Sequence, residues 1–417
     1  MSVRIISFVL IFGIFVELSA VARKLHPLIK DSLRTASDPH DWKYLISSQV
    51  QNGTSQVRFD ISTSEATLSS EALLKLDGPQ VSSINASVFD WWYFDAVSES
   101  DPGDSIVVTF FTSSATAFPF LDPSGSSVLI AYLWASFANG TVFSEYIPAT
   151  VATVAGGDSA KPPSSGNWGS TGFSWTALNE DLSEYEVVIA SEEIQVEGPD
   201  TASACGIQAG TTKLEVAPHI GWACLIPDAV GTIDMNIQGS RLSFRGPAYH
   251  DKNWSDRPFL ESVQNWYWGH GRLEPYSIVW FSYSALDDPS NTTYVSSYVA
   301  KDGDVLVSAC TSSILTVRPF GSFNTTGGRY PPWAGDIPDG FLLEFDLGNS
   351  NNWLKVNVSI DSLVAGDGKY YMRWTGSLSG EVVQGQSEDR QDVCTPVQSS
   401  ETRLSGVAVF EQFALLE

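Results

Sequence analysis

Positively charged residues are scarce in this chain. Its 417 residues include 23 Lys and Arg against 48 Asp and Glu, which gives a formal net charge of -25 at pH 7. No basic cluster offsets this charge, so the sequence argues against binding to nucleic acid and to anionic membrane surfaces. Beyond the N-terminus no apolar run approaches the length of a membrane span, so no spanning helix is expected.

The motifs of common cofactor and nucleophile sites are also missing. The chain has no GxGxxG, no P-loop, no GxSxG elbow and no HExxH. His219, His250 and His270 lie at spacings that match no compact metal motif, even when Asp251 or Glu274 is added. We therefore expect neither a metal nor an organic cofactor. A Ser-His-Asp triad stays an open alternative in a chain so rich in Ser, although no Ser stands in a recognisable nucleophile motif.

Cysteine is rare, and no CxxC occurs, which argues against a redox or zinc-ribbon role. The four cysteines are Cys205, Cys224, Cys310 and Cys394. An even set suits an oxidising compartment, and four cysteines allow three pairings. On domain grounds alone we expect Cys205 to pair with Cys224 and Cys310 to pair with Cys394.

The N-terminus has the pattern of a cleavable signal peptide. Arg4 precedes the apolar run of residues 5–16, and Ala20-Val21-Ala22 forms a small-x-small cleavage site. The run is short for a membrane anchor, and Glu17 interrupts it. We therefore expect residues 1–22 to be removed and the mature protein to be secreted, vacuolar or lumenal.

Asn-x-Ser/Thr sequons are frequent, as suits a protein of the secretory pathway. We expect glycans at Asn52, Asn85, Asn139, Asn291, Asn324 and Asn357. A further sequon at Asn253 lies in an unusual aromatic segment described below.

Alternation of apolar and polar residues with a period of two predicts an all-β fold. Ile233, Met235 and Ile237 alternate with polar residues, and the same pattern over residues 354–360 places Asn357 on the solvent face. Turn signals such as Lys301-Asp302-Gly303 separate the predicted strands. The pattern favours an antiparallel sandwich or barrel.

The length of the mature chain, about 395 residues, suits two domains. We expect an N-terminal β domain over residues 23–243 and a C-terminal β domain over residues 244–417. The boundary precedes the most unusual segment of the chain.

Two aromatic regions also carry charged residues. The first is Phe89–Asp95, and the second is Gly246–Trp254 followed by Trp266–Arg272. One interpretation is a set of aromatic core strands. However, buried charges need partners, and aromatic walls with a few polar groups are typical of a ligand pocket.

These regions supply the candidate site residues. The candidate catalytic residues are Tyr249, His250 and Asp251, and His250 and Asp251 are expected to form a proton-handling pair. The candidate substrate-binding residues are Asp90, Trp91, Trp92, Tyr93, Lys252, Asn253, Trp254, Trp266 and Trp268.

The blocks Asp-Trp-Trp-Tyr-Phe-Asp (residues 90–95), Tyr-His-Asp-x-Asn-Trp (249–254) and Trp-x-Trp-Gly (266–269) resemble the fungal lipocalin-like Diels–Alderases, which are distant relatives of the carotenoid 1,2-hydratases. The resemblance implies a sandwich-like N-terminal domain, a lipocalin-like C-terminal barrel and a substrate pocket between them. The chain departs from the family at Ser255, where a Gly is usual, and this Ser completes the sequon at Asn253. An Asn253 that faces a pocket cannot carry a glycan, so we expect this sequon to be silent.

The resemblance also implies a cofactor-independent pericyclase of secondary metabolism that acts on hydrophobic polyketide or terpenoid substrates. Cycloaddition requires two reactants held face to face in a shaped cavity. The signal peptide and sequons favour the subgroup that joins a tropolone o-quinone methide to a humulene-type sesquiterpene by an intermolecular hetero-Diels–Alder reaction. There, Asp251 or His250 first helps to expel water from a hydroxymethyl tropolone. The open alternatives are intramolecular decalin formation, a non-catalytic lipocalin-like binder and a hydratase.

Overall fold

The computed structural model describes residues 41–63, 75–121, 127–157, 160, 162–190, 192–198, 210–321, 328–348, 352–384 and 403–417. The predicted signal peptide, Cys205, Cys394 and Asn324 lie outside these ranges. No helix of the described residues is long and apolar enough to cross a membrane.

The N-terminal part of the described chain forms a sheet of 13 strands. Its strands are β1 (Trp42–Ser47), β3 (Phe89–Val97), β4 (Ser105–Ser113), β5 (Leu129–Ser136), β6 (Val142–Pro148), β7 (Val151–Gly156), β8 (Ser164–Gly169), β9 (Phe173–Ala177), β10 (Glu184–Ile189), β11 (Glu192–Glu197), β13 (Glu215–Ala217), β14 (Ile220–Ile237) and β15 (Ser240–Ser255). The order across the sheet is β1-β7-β8-β9-β10-β11-β14-β15-β3-β4-β5-β6, and β13 pairs with β14. A small separate sheet pairs β2 (Asp60–Thr63) with β12 (Gly210–Lys213).

The C-terminal part forms a second, antiparallel sheet of nine strands. Its strands are β16 (Val263–Leu273), β17 (Tyr276–Ala285), β18 (Thr293–Lys301), β19 (Asp304–Ala309), β20 (Leu315–Phe320), β21 (Gly340–Asp346), β22 (Asn352–Gly366), β23 (Tyr371–Gln384) and β24 (Leu404–Ala414). The order is β19-β18-β17-β16-β24-β23-β22-β21-β20. One helical turn, α1 (Phe259–Ser262), connects the two sheets. The all-β prediction is confirmed.

Short turns fix the register of the long strands. Gln238 and Gly239 connect β14 to β15, with φ angles of 50° and 87°. Asp302 and Gly303 connect β18 to β19 with φ angles of 50° and 85°, as the turn signal predicts. Two positive φ values are the requirement of the tight hairpin turns that match strand twist, which explains a Gly in each.

Buried side chains form three cores. One lies inside the first sheet around Trp92, Trp168 and Trp175, and another lies inside the second sheet around Trp280 and Trp374. The third joins residues of both sheets, including Trp91, Trp222, Trp266 and Phe413. Because successive side chains of a strand point to opposite faces, β3 and β15 contribute one set of residues to the first core and the alternate set to the core between the sheets.

The predicted alternation is confirmed. Ile233, Met235 and Ile237 are buried, and Asn357 is exposed between buried neighbours. The change from the first sheet to the second lies between Ser255 and Val263, so the expected boundary at residues 243/244 falls inside β15.

Cysteine pairing differs from expectation. Cys224 is buried with a free thiol because its side chain joins the core between the sheets, so a Cys205–Cys224 bond is not formed in this structure. Cys310 is disulfide-bonded, and its partner lies outside the described residues.

Exposure of the sequons is compatible with modification at several sites. Asn52, Asn139 and Asn291 are exposed like Asn357, and Asn85 is half-buried. Asn253 is buried and hydrogen-bonded to Asp251, so the folded protein offers no access to this amide. Glycosylation itself stays a prediction.

Candidate active site

A cavity lies in the core between the two sheets and is called here the inter-sheet cavity. It holds about 620 Å³ of empty space, the open mouth included. The first sheet and its loops contribute Trp91, Tyr93, Thr109, Phe111, Phe118, Phe120, Tyr132, Tyr146, Asp251 and Asn253, and the second contributes Trp266, Trp268, Tyr371, Arg373, Glu411 and Phe413. An aromatic lining with a few polar groups is typical of small-molecule sites.

Asp251 is the acid of this cavity. Its Oδ2 accepts hydrogen bonds from Trp222 Nε1 at 2.8 Å and from the Tyr249 hydroxyl at 2.9 Å. Its Oδ1 accepts one bond, from Asn253 Nδ2 at 2.9 Å. Burial raises the pKa of Asp251 to about 7, although the bonds from Trp222 and Tyr249 oppose the rise. Near neutral pH a large fraction of Asp251 is therefore a protonated acid, and Oδ1 has room for the proton.

A second hydroxyl–carboxyl unit lies beside Asp251. The Tyr93 hydroxyl donates to Asp95 Oδ2 at 2.5 Å, and Asp95 Oδ1 contacts His270 Nε2 at 2.7 Å. His270 stacks on Tyr249, with ring centroids 4.7 Å apart. Burial raises the pKa of Tyr93 well above its usual value, so Tyr93 is neutral and holds its proton towards Asp95.

Arg373 and Glu411 form a buried ion pair in the wall of the cavity. Arg373 Nη2 lies 2.5 Å from Glu411 Oε2, which also accepts from the Tyr371 hydroxyl at 3.2 Å. The guanidinium carbon lies 4.7 Å from the centre of the Tyr93 ring. The pairing satisfies Glu411 with donors, which leaves Asp251 as the carboxyl group of the lining without a cationic partner.

Six of the predicted site residues line the cavity. They are Trp91, Tyr93, Asp251, Asn253, Trp266 and Trp268. Tyr249 lies behind this wall and contacts Asp251.

The other five predicted residues face the opposite side of β3 and β15. They are Asp90, Trp92, His250, Lys252 and Trp254, which are buried within the first sheet. Lys252 Nζ lies 2.6 Å from Asp90 Oδ1 and 3.4 Å from the centre of the Trp92 ring. These residues form a structural network, and the structure does not place them at the inter-sheet cavity.

The expected His250–Asp251 pair is not formed. Neighbouring side chains of a strand point to opposite faces, and the His250 ring stacks on Phe94 with centroids 3.9 Å apart. Its Nε2 lies 3.3 Å from Asp77 Oδ1, and its Nδ1 lies 2.9 Å from the Tyr93 carbonyl oxygen. The structure therefore gives His250 no contact with the cavity.

Sequence reasoning missed Trp222, Arg373 and Glu411. The signal that singled out the other segments was present at Tyr371-Met372-Arg373-Trp374, where one charge interrupts an aromatic strand. Trp222 and Glu411 gave weaker signals, because their roles depend on strand pairing. Among the described residues, no group of three or more His, Cys, Asp or Glu side chains is placed to hold a metal.

Comparisons with known proteins agree on a family. A family model described as Diels-Alderase-like matches residues 49–328. The quinolone epoxide rearrangement protein asqO of Emericella nidulans is 32% identical over 335 residues, which cover 78% of this chain and 85% of that protein. The protein of the same description, penF, from Penicillium thymicola is also 32% identical, over 78% of this chain and 89% of that protein. A crystal structure of CghA with Sch210972 matches with a TM-score of 0.66 at 15% identity, covering 90% of this chain and 99% of that one, which shows a shared fold.

Proposed function

The chain belongs to the Diels-Alderase-like family, and from this premise we propose that it is an enzyme of secondary metabolism that rearranges an apolar, oxygenated small molecule by proton donation from Asp251. The observation that carries the proposal is a buried carboxylic acid with a pKa of about 7 in an aromatic cavity. A general acid works best when its pKa lies near the working pH.

An epoxide is the substrate group that this arrangement suits best. Two relatives with 32% identity are named quinolone epoxide rearrangement proteins, which supports this choice. Asp251 Oδ1 gives its proton to the epoxide oxygen while one C–O bond breaks, and the electron pair of that bond stays on the oxygen. Positive charge then develops on carbon.

The aromatic walls stabilise this charge. Ring faces attract cations, and Trp91, Trp266 and Trp268 line the cavity. A neighbouring bond or a nucleophilic atom of the substrate then moves to the cationic carbon, and a proton returns to the Asp251 carboxylate. The product is an isomer of the substrate, so no atom and no electron is gained or lost.

A hetero-Diels–Alder reaction is the second candidate, and the same acid favours it. Asp251 protonates the hydroxyl of a hydroxymethyl tropolone, water leaves, and an o-quinone methide forms. Cycloaddition with a humulene-type sesquiterpene then makes one C–O and one C–C bond and needs only positioning. About 620 Å³ falls within the usual range of ligand pockets, roughly 300–1,000 Å³. Decalin formation, a hydratase and a non-catalytic binder make less use of the proton donor together with the family membership.

The test is product analysis with purified protein. We expect a synthetic quinolone with an epoxide on its side chain to give a product of unchanged mass, which takes up no label from water carrying heavy oxygen. A diol with the added mass of water, or unchanged substrate, contradicts the epoxide proposal. In the same assay, a hydroxymethyl tropolone with humulene would give a product at the summed mass minus water if the second candidate is right.

A further inference from the structure

Two polar atoms of the cavity lining have no hydrogen-bond partner in the described protein. They are Asn253 Oδ1 and Trp266 Nε1. Both side chains are buried, with exposed fractions of 3% and 2%. Buried polar atoms are normally paired, and an orphaned one in a cavity wall marks a place for a ligand group.

The two atoms differ in what they accept. An amide oxygen is an acceptor, and the Asn253 amide nitrogen is already committed to Asp251 Oδ1 at 2.9 Å. An indole N–H is only a donor. A molecule that fills the cavity must therefore present a donor to Asn253 and an acceptor to Trp266.

We propose that Asn253 and Trp266 form a polar subsite for a secondary lactam, whose N–H donates to Asn253 Oδ1 and whose carbonyl accepts from Trp266 Nε1. A lactam ring carries both groups side by side on a flat body that suits the aromatic walls. The inference deepens the proposed function and rests on it for the identity of the reacting group.

The subsite also restricts where the reaction takes place. Asn253 and Asp251 are alternate residues of β15, share one face and are joined by a hydrogen bond. A lactam held at Asn253 therefore lies next to the proton donor. The oxygen that Asp251 protonates is carried close to the lactam ring and not at the far end of a long side chain.

Quinolin-2-one and coumarin are a matched pair of probes. They have the same shape and the same carbonyl, but coumarin has a ring oxygen in place of the N–H. We expect the ratio of coumarin Kd to quinolin-2-one Kd to be about tenfold or more higher in the wild-type protein than in the Asn253→Leu variant, because only the wild type leaves an acceptor unpaired against coumarin. Binding is measured by quenching of Trp fluorescence.

Trp266→Phe is the control. Both probes retain the carbonyl, so their affinities should fall by similar factors and the ratio should stay at the wild-type value. Quinoline, which lacks the carbonyl, should bind this variant as well as the wild type. This second comparison holds even if Asn253→Leu does not fold.

Three results overturn the lactam subsite: a ratio unchanged by Asn253→Leu, coumarin binding more tightly than quinolin-2-one to the wild type relative to the variant, or no saturable binding of quinolin-2-one at millimolar concentration. These assays measure binding without turnover. A retained ratio in a protein that rearranges no epoxide therefore refutes the proposed function and leaves the subsite intact, and the reverse pattern refutes the subsite alone.

Discussion

Asp251→Asn is expected to lower turnover by about 10²–10⁴-fold, the usual contribution of a general acid. Asn keeps the shape of the side chain and the acceptor for Tyr249 and Trp222, but it has no acidic proton. Affinity for substrate should change little, because the aromatic walls are untouched. Turnover and Kd measured for both proteins provide the check.

The stability of the same variant separates a catalytic role from a structural one. Burial raises the pKa of Asp251 to about 7 in the folded state, against about 3.9 in an unfolded chain. The folded state thus holds this proton more tightly, so the contribution of Asp251 to stability is fully present below about pH 4 and is lost as the pH rises through about 7. Asp251→Asn should remove that loss, and the variant should be at least as stable as the wild type at pH 8. Lower stability with full turnover per folded molecule contradicts the acid role.

Lys252→Met is expected to lower the free energy of unfolding by about 3–5 kcal/mol while turnover per folded molecule stays near the wild-type value. Lys252 Nζ lies 2.6 Å from Asp90 Oδ1 in a fully buried network, so the substitution leaves a buried carboxyl without its cation. Burial raises the pKa of Asp90 and lowers that of Lys252, which shows that desolvation opposes the charges of this pair.

The matched control is the double variant Asp90→Leu with Lys252→Met. Removing both charges should recover much of the lost stability, since replacing a buried ion pair by apolar residues is often neutral or favourable. Denaturant unfolding and a turnover assay at equal folded concentration measure both effects. A large fall in turnover with stability unchanged contradicts the structural assignment and returns Lys252 to the substrate-binding residues.

Much of the fold followed from the sequence, because a period of two in apolar residues is set by strand geometry. The alternation around Met235 and Asn357 predicted both the strands and their exposed faces. The aromatic regions carrying charges also identified the strands that line the cavity. The sheet change after Ser255 was placed too early, since local pattern does not reveal which sheet a strand joins.

The face of each strand was the main uncertainty of the site prediction. Alternation separates His250 and Lys252 from Tyr249, Asp251 and Asn253, but it does not say which set meets the second sheet. That depends on the packing of β16 against the first sheet. Arg373 and Glu411 escaped notice for a similar reason, because their pairing joins strands distant in sequence from Asp251.

The central claim is that Asp251 is a protonated acid near neutral pH. Infrared difference spectroscopy between the wild type and Asp251→Asn, recorded across the pH range, observes this proton directly. The account predicts a protonated carboxyl band that belongs to Asp251, is present at pH 5 and disappears with a midpoint near pH 7, in step with the loss of turnover. A midpoint near 4, the ordinary value for an exposed Asp, would contradict it.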